Sequence, residues 1–338
     1  MTTTNDIDTV TDPMTSSRYR LVAGALILVA SLSMGLNVSP VSPLLPVIIE
    51  DYGITRTTAS LLRALPVLTM ALIGLPGSVI VNRFGLRRIL TVSWFLVGAP
   101  ALSPVAPGFM TMLLLRLAFG VGAGLLSLGT RPLTMQWFRG RELSIINTLS
   151  LVIMSLGITV SVSFAVPLLS IMAWEGVLGI LGSVGLSGAV LWALLGQTRP
   201  DSQDASIALS LEDVWSVLRN RTIFLLIAGN SLVFILYAAL TSWLPSYFFE
   251  FRDMSLKQAG YITGLIPFVG IFAVVAGGFL TLRVKAKRLL LIIPGILVGL
   301  GGFGSFLATN TGVIEASVVV LAIGTWIYQP MLLTLPMQ

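Results

Sequence analysis

Gly77-Ser78-Val79-Ile80-Val81-Asn82-Arg83-Phe84-Gly85-Leu86-Arg87-Arg88 closes one long apolar segment and opens the next. At an offset of 200 residues, Gly277-Gly278-Phe279-Leu280-Thr281-Leu282-Arg283-Val284-Lys285-Ala286-Lys287-Arg288 does the same. Gly77, Arg83 and Arg88 recur identically as Gly277, Arg283 and Arg288, and Arg87 becomes Lys287. Any cytoplasmic loop gathers Arg and Lys, which accounts for the charges. It accounts less well for the glycines and the matched spacing inside similar hairpins. Two apolar spans joined by a short basic turn, repeated half a protein apart, point to an internally duplicated all-α membrane protein.

Composition agrees. The chain has 338 residues, 55% apolar and 10% charged, with a mean hydropathy of +0.95. A soluble domain averages about 25% charged residues, so most of this chain must lie in something other than water. The net charge of +6 is scattered along short loops, and no soluble basic face exists to bind nucleic acid. The excess reads as an orientation signal and an attraction to anionic lipid, with the bilayer itself as partner. Cysteine and histidine are both absent. Disulfides, thiol chemistry and histidine-based acid–base catalysis are therefore excluded, no catalytic residue or metal ligand set is expected, and no cofactor is implied.

A crossing of the hydrocarbon takes ~20 residues. On that measure the spans fall at 19–48, 56–82, 88–106, 109–135, 141–171, 174–196, 221–250, 256–283, 287–308 and 313–337, ten in all. The first is long and interrupted by Pro40, Pro43 and Pro46, which predicts one kinked helix rather than two spans. Residues 1–17 read as a disordered polar tail, without the features of a secretory leader. One set of turns carries Arg83, Arg87 and Arg88, then Arg139 and Arg141, then Arg283 to Arg288. The alternate turns carry Glu50 and Asp51, Glu175, Glu250 and Asp253, and Glu315. These are called the basic and the acidic end below. Basic turns stay in the cytoplasm, which predicts a cytoplasmic N-terminus in a multi-pass protein of the plasma membrane.

Residues 197–220 are the one long polar stretch between spans. Leu211, Val214, Trp215 and Leu218 have helical spacing there, with Glu212 and Asp213 opposite, as in a short amphipathic helix on the inner leaflet. This linker divides a six-helix bundle, 18–196, from a second bundle, 221–338, with four of an expected six spans. The chain stops at Leu335-Pro336-Met337-Gln338, inside an apolar run, which reads as a truncated chain or a fragment.

With those residues in view, the chain resembles the major facilitator superfamily over 18–338. The family's loop signature between its second and third spans reads G-x-x-x-D-R-x-G-R-R. That slot here holds Ser78, Asn82, Arg83, Gly85, Leu86 and Arg87, with Arg88 following, so the leading Gly and the Asp are replaced. The resemblance implies a gating loop at Asn82, Arg83, Gly85, Arg87 and Arg88, with Asn82 lacking the charge that locks helix ends in the family. A fourth-span signature, R-x-x-x-G-x-G, is matched by Arg116, Gly120 and Gly122. The proton-antiporter pairing of Gly with Pro on the fifth span is not evident in Gly157-Ile158-Thr159-Val160-Ser161. Trp243-Leu244-Pro245, followed by Ala259-Gly260, is similar to the cyanate and nitrite/nitrate carrier branch. The resemblance implies a major-facilitator-like bundle and a carrier working by alternating access.

Charges inside the apolar spans point to the site, because an ionisable group at the bilayer centre costs at least ~2.5 kcal/mol. Arg63 and Arg116 each lie about seven residues into spans that run the same way, which places them at similar depth. No Asp or Glu falls well inside any span, so neither arginine has an obvious carboxylate partner. A buried cation needs carbonyls, water or a bound anion, and the planar fork of Arg matches an oxyanion or carboxylate in two hydrogen bonds. Arg63 and Arg116 are thus candidate ligands for a small anionic solute, with Asn37, Asn230 and Tyr237 as candidate cavity polars. Structural roles compete: helix capping for Arg116, snorkelling for Arg63, and a neighbouring helix for the other three. On the fourth span Arg116, Gly120, Gly124, Ser127 and Arg131 share one face, as either a cavity or a tight helix contact requires. Proton-coupled carriers usually place an acid or His on the path, and its lack favours uniport, anion exchange or coupling through the substrate's own protonation.

The sequence therefore predicts a monomeric transporter of a small anionic solute. Competing readings are an exporter of neutral or drug-like solutes and a non-transporting sensor, scaffold or inactive fragment. No nucleophile–base constellation and no G-x-x-x-x-G-K-[ST] phosphate loop is present, which argues against an enzyme or an ATP-driven pump.

Overall fold

The structure, a computed structural model, describes residues 19–74, 77–198, 219, 221–283 and 289–328, with the side chains of a few helical residues, Asn82 and Asn230 among them, outside that description. The polar tail, the amphipathic linker segment and the end of the tenth expected span lie outside the described residues. Within them every regular element is helical. The first span is α1 (Tyr19–Val38) followed by α2 (Val41–Tyr52), broken at Ser39-Pro40, where proline lacks the N–H that would continue the ladder. The second is α3 (Arg56–Gly74) and α4 (Gly77–Phe84). The third is α5 (Leu86–Val97), tightening into a 3-10 segment, Ala99–Val105, at Pro100 and Pro104. Then come α6 (Phe109–Trp137), α7 (Gly140–Leu168), α8 (Trp174–Leu195), α9 (Arg221–Phe251), α10 (Leu256–Arg283), α11 (Leu289–Leu307) and α12 (Thr311–Trp326). Where the residues are described, the expected spans fall on helix. Among the described residues, eight helical stretches are long and apolar enough to cross a membrane, and Ile292–Leu307 and Thr311–Trp326 are shorter apolar helices.

Apolar burial alone cannot hold such helices together, because lipid is as apolar as leucine; close backbone approach has to contribute. Glycine supplies it. On α6, Gly120 and Gly124 face α3, where an added Cβ at Gly120 would stand 2.5 Å from the Pro66 carbonyl oxygen. Gly122 and Gly129, offset by two residues and two turns, face α5 at Leu96 and Leu90. The same device seats α8 on the third span: Gly182 meets the backbone at Pro100 and Ala101, and Gly188 meets the Trp94 ring. The shared small face of the fourth span is therefore a tight helix contact at Gly120 and Gly124. Arg131, farther along α6, is exposed near the basic end.

Each half has its own apolar core. In the first, one cluster gathers Trp94, Phe119, Trp137 and Trp192, and another surrounds Leu44, Leu62 and Trp174. The indole N–H groups of Trp192 and Trp174 donate to Thr91 Oγ1 at 3.0 Å and Asp51 Oδ2 at 3.1 Å, so these rings bury without stranding a donor. The second core centres on Leu244, Phe248, Ile262 and Val318. The halves meet where α7 packs on α10 and α2 on α9. At the first of these, Gly260 lies against the Val162 carbonyl and Gly264 against Ser163.

In the opening stretch, Gly85 has φ of 80° and ψ of 143° between α4 and α5. This conformation is nearly exclusive to glycine. A Cβ there meets nothing within 4 Å, so Gly85→Ala is expected to destabilise by about 1–3 kcal/mol through backbone strain alone. A lowered thermal midpoint in detergent, with the helical signal intact, is the measurement. Arg83, Arg87 and Arg88 are exposed, and the Arg83 guanidinium lies 5.8 Å from the centre of the Phe84 ring.

Candidate functional site

The two intramembrane arginines are held at one level by the glycine seam. α3 and α6 lie against each other with Pro66 and Thr69 at Gly120, and Met70 and Ile73 at Gly124. One turn toward the acidic end from that contact stand Arg63 on α3 and Arg116 on α6. Both are buried, at 8% and 1% exposure, which removes snorkelling to either surface as the account of Arg63. The two guanidinium charges lie close enough to act on one another.

Arg63 reaches two other helices. Its Nη1 donates to Ser42 Oγ on α2, and its Nη2 donates to Thr241 Oγ1 on α9 at 2.8 Å. Thr241 can accept because its own proton goes to the Tyr237 carbonyl, 2.8 Å away and one turn back. The Tyr237 side chain is within electrostatic reach of Arg63, and its ring meets Trp326 edge-on with centroids 5.3 Å apart.

Arg116 is anchored differently. α1 ends at Val38, so the Asn37 carbonyl is one of the terminal acceptors that a helix cannot satisfy itself. Arg116 Nη1 donates to it at 2.7 Å, and a cation suits the negative end of a helix. The Phe119 ring centre lies 5.9 Å from the guanidinium carbon. Arg116 Nε and Nη2 are buried with no protein acceptor among the described residues. Two ion pairs are formed between described residues, Arg20–Glu142 and Arg56–Glu250, and neither involves Arg63 or Arg116.

Asn37 acts as a brace. It is 1% exposed, and its Nδ2 donates to Ser33 O at 2.9 Å and Leu181 O at 3.1 Å, tying α1 to α8 while its carbonyl holds Arg116. The side chains of Asn230 and Asn82 lie outside the described residues. Arg63, Arg116, Asn37 and Tyr237 are thus brought together. Ser42, Thr241 and Trp326 join them without having been singled out from sequence. Thr241 offers one retrospective signal, its place one turn beyond Tyr237 and one turn before Pro245; Ser42 lies in the proline-broken stretch of the first span.

The arrangement presents two buried cationic forks in a low-dielectric bundle, with Arg63 bonded across to the second half, a geometry suited to holding an oxyanion. The family model of the Major Facilitator Superfamily matches residues 27–338. The chain belongs to the Major Facilitator Superfamily. Among its relatives, a "probable sulfoacetate transporter" of Cupriavidus necator is 25% identical over 301 residues, covering 83% of this chain and 69% of the relative. The "nitrite extrusion protein" of Bacillus subtilis is 24% identical over 279 residues, covering 78% of this chain and 69% of that one. In fold, the chain is similar to a bacterial homolog of the human lysosomal transporter Spinster in an inward-facing and occupied conformation. The TM-score is 0.75 at 16% identity, over 94% of this chain and 74% of that structure. Membership of the superfamily makes the chain a multi-pass membrane transporter rather than an enzyme.

Proposed function

We propose that this superfamily member is a secondary carrier of a small anionic solute, working by alternating access around the Arg63–Arg116 site. The observation that carries this is the pair of buried guanidinium groups at one level on adjacent helices, one with two donors that no described residue accepts. A buried cation left without compensation is costly. An anion on these forks supplies the missing acceptors and the opposite charge. Relatives named for sulfoacetate and nitrite fit the same chemistry. On this reading Arg63 and Arg116 bind the solute, Asn37 and Ser42 hold them in place, and Tyr237 closes the site from the second half. The basic turns, with the gating-loop residues Arg83, Arg87 and Arg88, face the cytoplasm of a plasma-membrane protein, as does the N-terminus. One chain supplies both halves of the site, so the carrier works as a monomer.

The test is uptake by proteoliposomes of labelled nitrite, nitrate, sulfoacetate and a small monocarboxylate, beside D-xylose as a neutral control. Saturable uptake of at least one anion, inhibited by other anions and not by xylose, is expected. Uptake of the neutral sugar that no anion inhibits would overturn the assignment.

A further inference from the structure

The two ends of the bundle differ in sign. Six of the seven described carboxylates stand at the acidic end, against Arg56, Arg252 and Lys257. At the basic end the seventh, Glu142, is taken by Arg20. Arg83, Arg87, Arg88, Arg131 and Arg139 are exposed there, and neither ion pair formed between described residues includes them. Four of these five flank turns, where a cytoplasmic charge serves to orient the chain. Arg131 does not. It stands six residues before the end of α6, and Arg116 is the only other charged residue of that helix. The face they share lies along the groove between α1 and α3. Arg116 reaches the Asn37 carbonyl of α1, Gly120 and Gly124 lie against α3, and Ser127 Oγ lies 3.8 Å from Met34 Sδ of α1. Arg131 is one turn beyond Ser127, past the contact that Gly124 makes with Met70 and Ile73. From Arg116 it is 15 residues away, about 22 Å of helix rise.

We propose that Arg131 is the capture residue of the basic mouth, drawing the anion into the groove that leads to Arg116. A cleft carrying charge of one sign raises the local concentration of the opposite ion and its rate of entry. Between the two arginines α6 offers no charge, so an anion entering there meets Arg131 first and Arg116 last. Arg131 is exposed, so water and salt screen its attraction and the anion is passed on rather than held. A charge on the path but off the site speeds entry and exit alike. It sets the rate at which the site fills and leaves the affinity of the site unchanged. The proposal rests on the reading of the solute as an anion.

Uptake efficiency, kcat/KM, is measured in proteoliposomes for labelled nitrite, nitrate, sulfoacetate and a small monocarboxylate, at low and high ionic strength. Microscopic reversibility lowers the efficiency equally in both directions, so a mixed orientation of the carrier does not blur the result. Arg131→Gln is expected to lower kcat/KM about two- to fivefold at low salt, and Arg131→Glu by more, with both differences fading at about 0.5 M salt. The rise of the thermal midpoint with anion concentration, which reads affinity, is expected to match the parent. Arg88→Gln removes a basic-turn charge off the α6 face and is expected to keep the parent efficiency. Efficiency unchanged in Arg131→Glu would overturn the proposal and leave Arg131 a headgroup anchor. An equal loss in Arg88→Gln would assign the effect to the rim as a whole and overturn it too. A weakened midpoint response would place Arg131 in the binding site itself, which also overturns it. Should the parent carry D-xylose and no anion, the anionic reading falls and this one with it. Anion uptake indifferent to Arg131 sinks this one alone.

Discussion

Replacing Arg63 by Gln lowers anion uptake by roughly ten- to a hundredfold, the loss expected when a hydrogen bond to a charged partner is withdrawn from a buried site. Gln keeps a polar head of similar reach, so the substitution isolates the charge and the fork. The residue is 8% exposed and, among the described residues, bonded only to the neutral hydroxyls of Ser42 and Thr241. Its removal therefore strands no protein carboxylate, and little stability is lost. Arg63→Lys separates charge from geometry: it keeps the cation and loses the planar two-donor edge, so uptake falls by less than in Gln but remains below the parent. Initial rates in proteoliposomes over a range of anion concentrations, with thermal midpoints for each variant, are the measurement. Uptake unchanged in Arg63→Gln would remove Arg63 from the site. An equal loss of thermal stability would make its role structural.

Gly120→Ala is the second large effect. The added methyl would stand 2.5 Å from the Pro66 carbonyl oxygen and 2.6 Å from Pro66 Cα, and nearer still to Thr69 Oγ1. Backbone atoms cannot rotate aside, so α3 has to lift off α6, an overpacking cost of about 1–3 kcal/mol. Because that seam sets Arg63 level with Arg116, transport falls together with the thermal midpoint. Gly278→Ala on α10 is the control. A Cβ there meets nothing within 4 Å, and alanine is the better helix former by about 1 kcal/mol, so this variant is expected to melt at or above the parent. If Gly120→Ala matched the control in both stability and flux, the seam would not be what aligns the arginines.

The depth of the two arginines was legible because both spans open at the acidic end and side-chain position along a helix follows from residue count alone. What Gly120 and Gly124 do was not legible. A cavity wall and a tight contact impose the same four-residue spacing, and only the position of Pro66 and Thr69 on another helix separates them. The proline at position 40 announced a break, and the structure has one, between α1 and α2. Its consequence, a freed Asn37 carbonyl that anchors Arg116, needed the fourth span to be in place.

The partners of Arg63 show the same limit. Ser42 and Thr241 stand 21 and 178 residues from it in the chain. A hydroxyl within a span ordinarily returns its proton to its own helix, as Thr241 does to Tyr237 and Thr69 to Leu65, so nothing local marks the one that also accepts from an arginine. Glu250 and Arg56 likewise read as ordinary loop charges until their helices face each other. The sequence by itself determined what local chemistry enforces: an all-helical chain of apolar spans, and two cations at one depth with no acid well inside any span. Only the tertiary structure decided which hydroxyl, carbonyl or carboxylate each charge meets, because those pairings depend on the approach and register of helices distant in the chain.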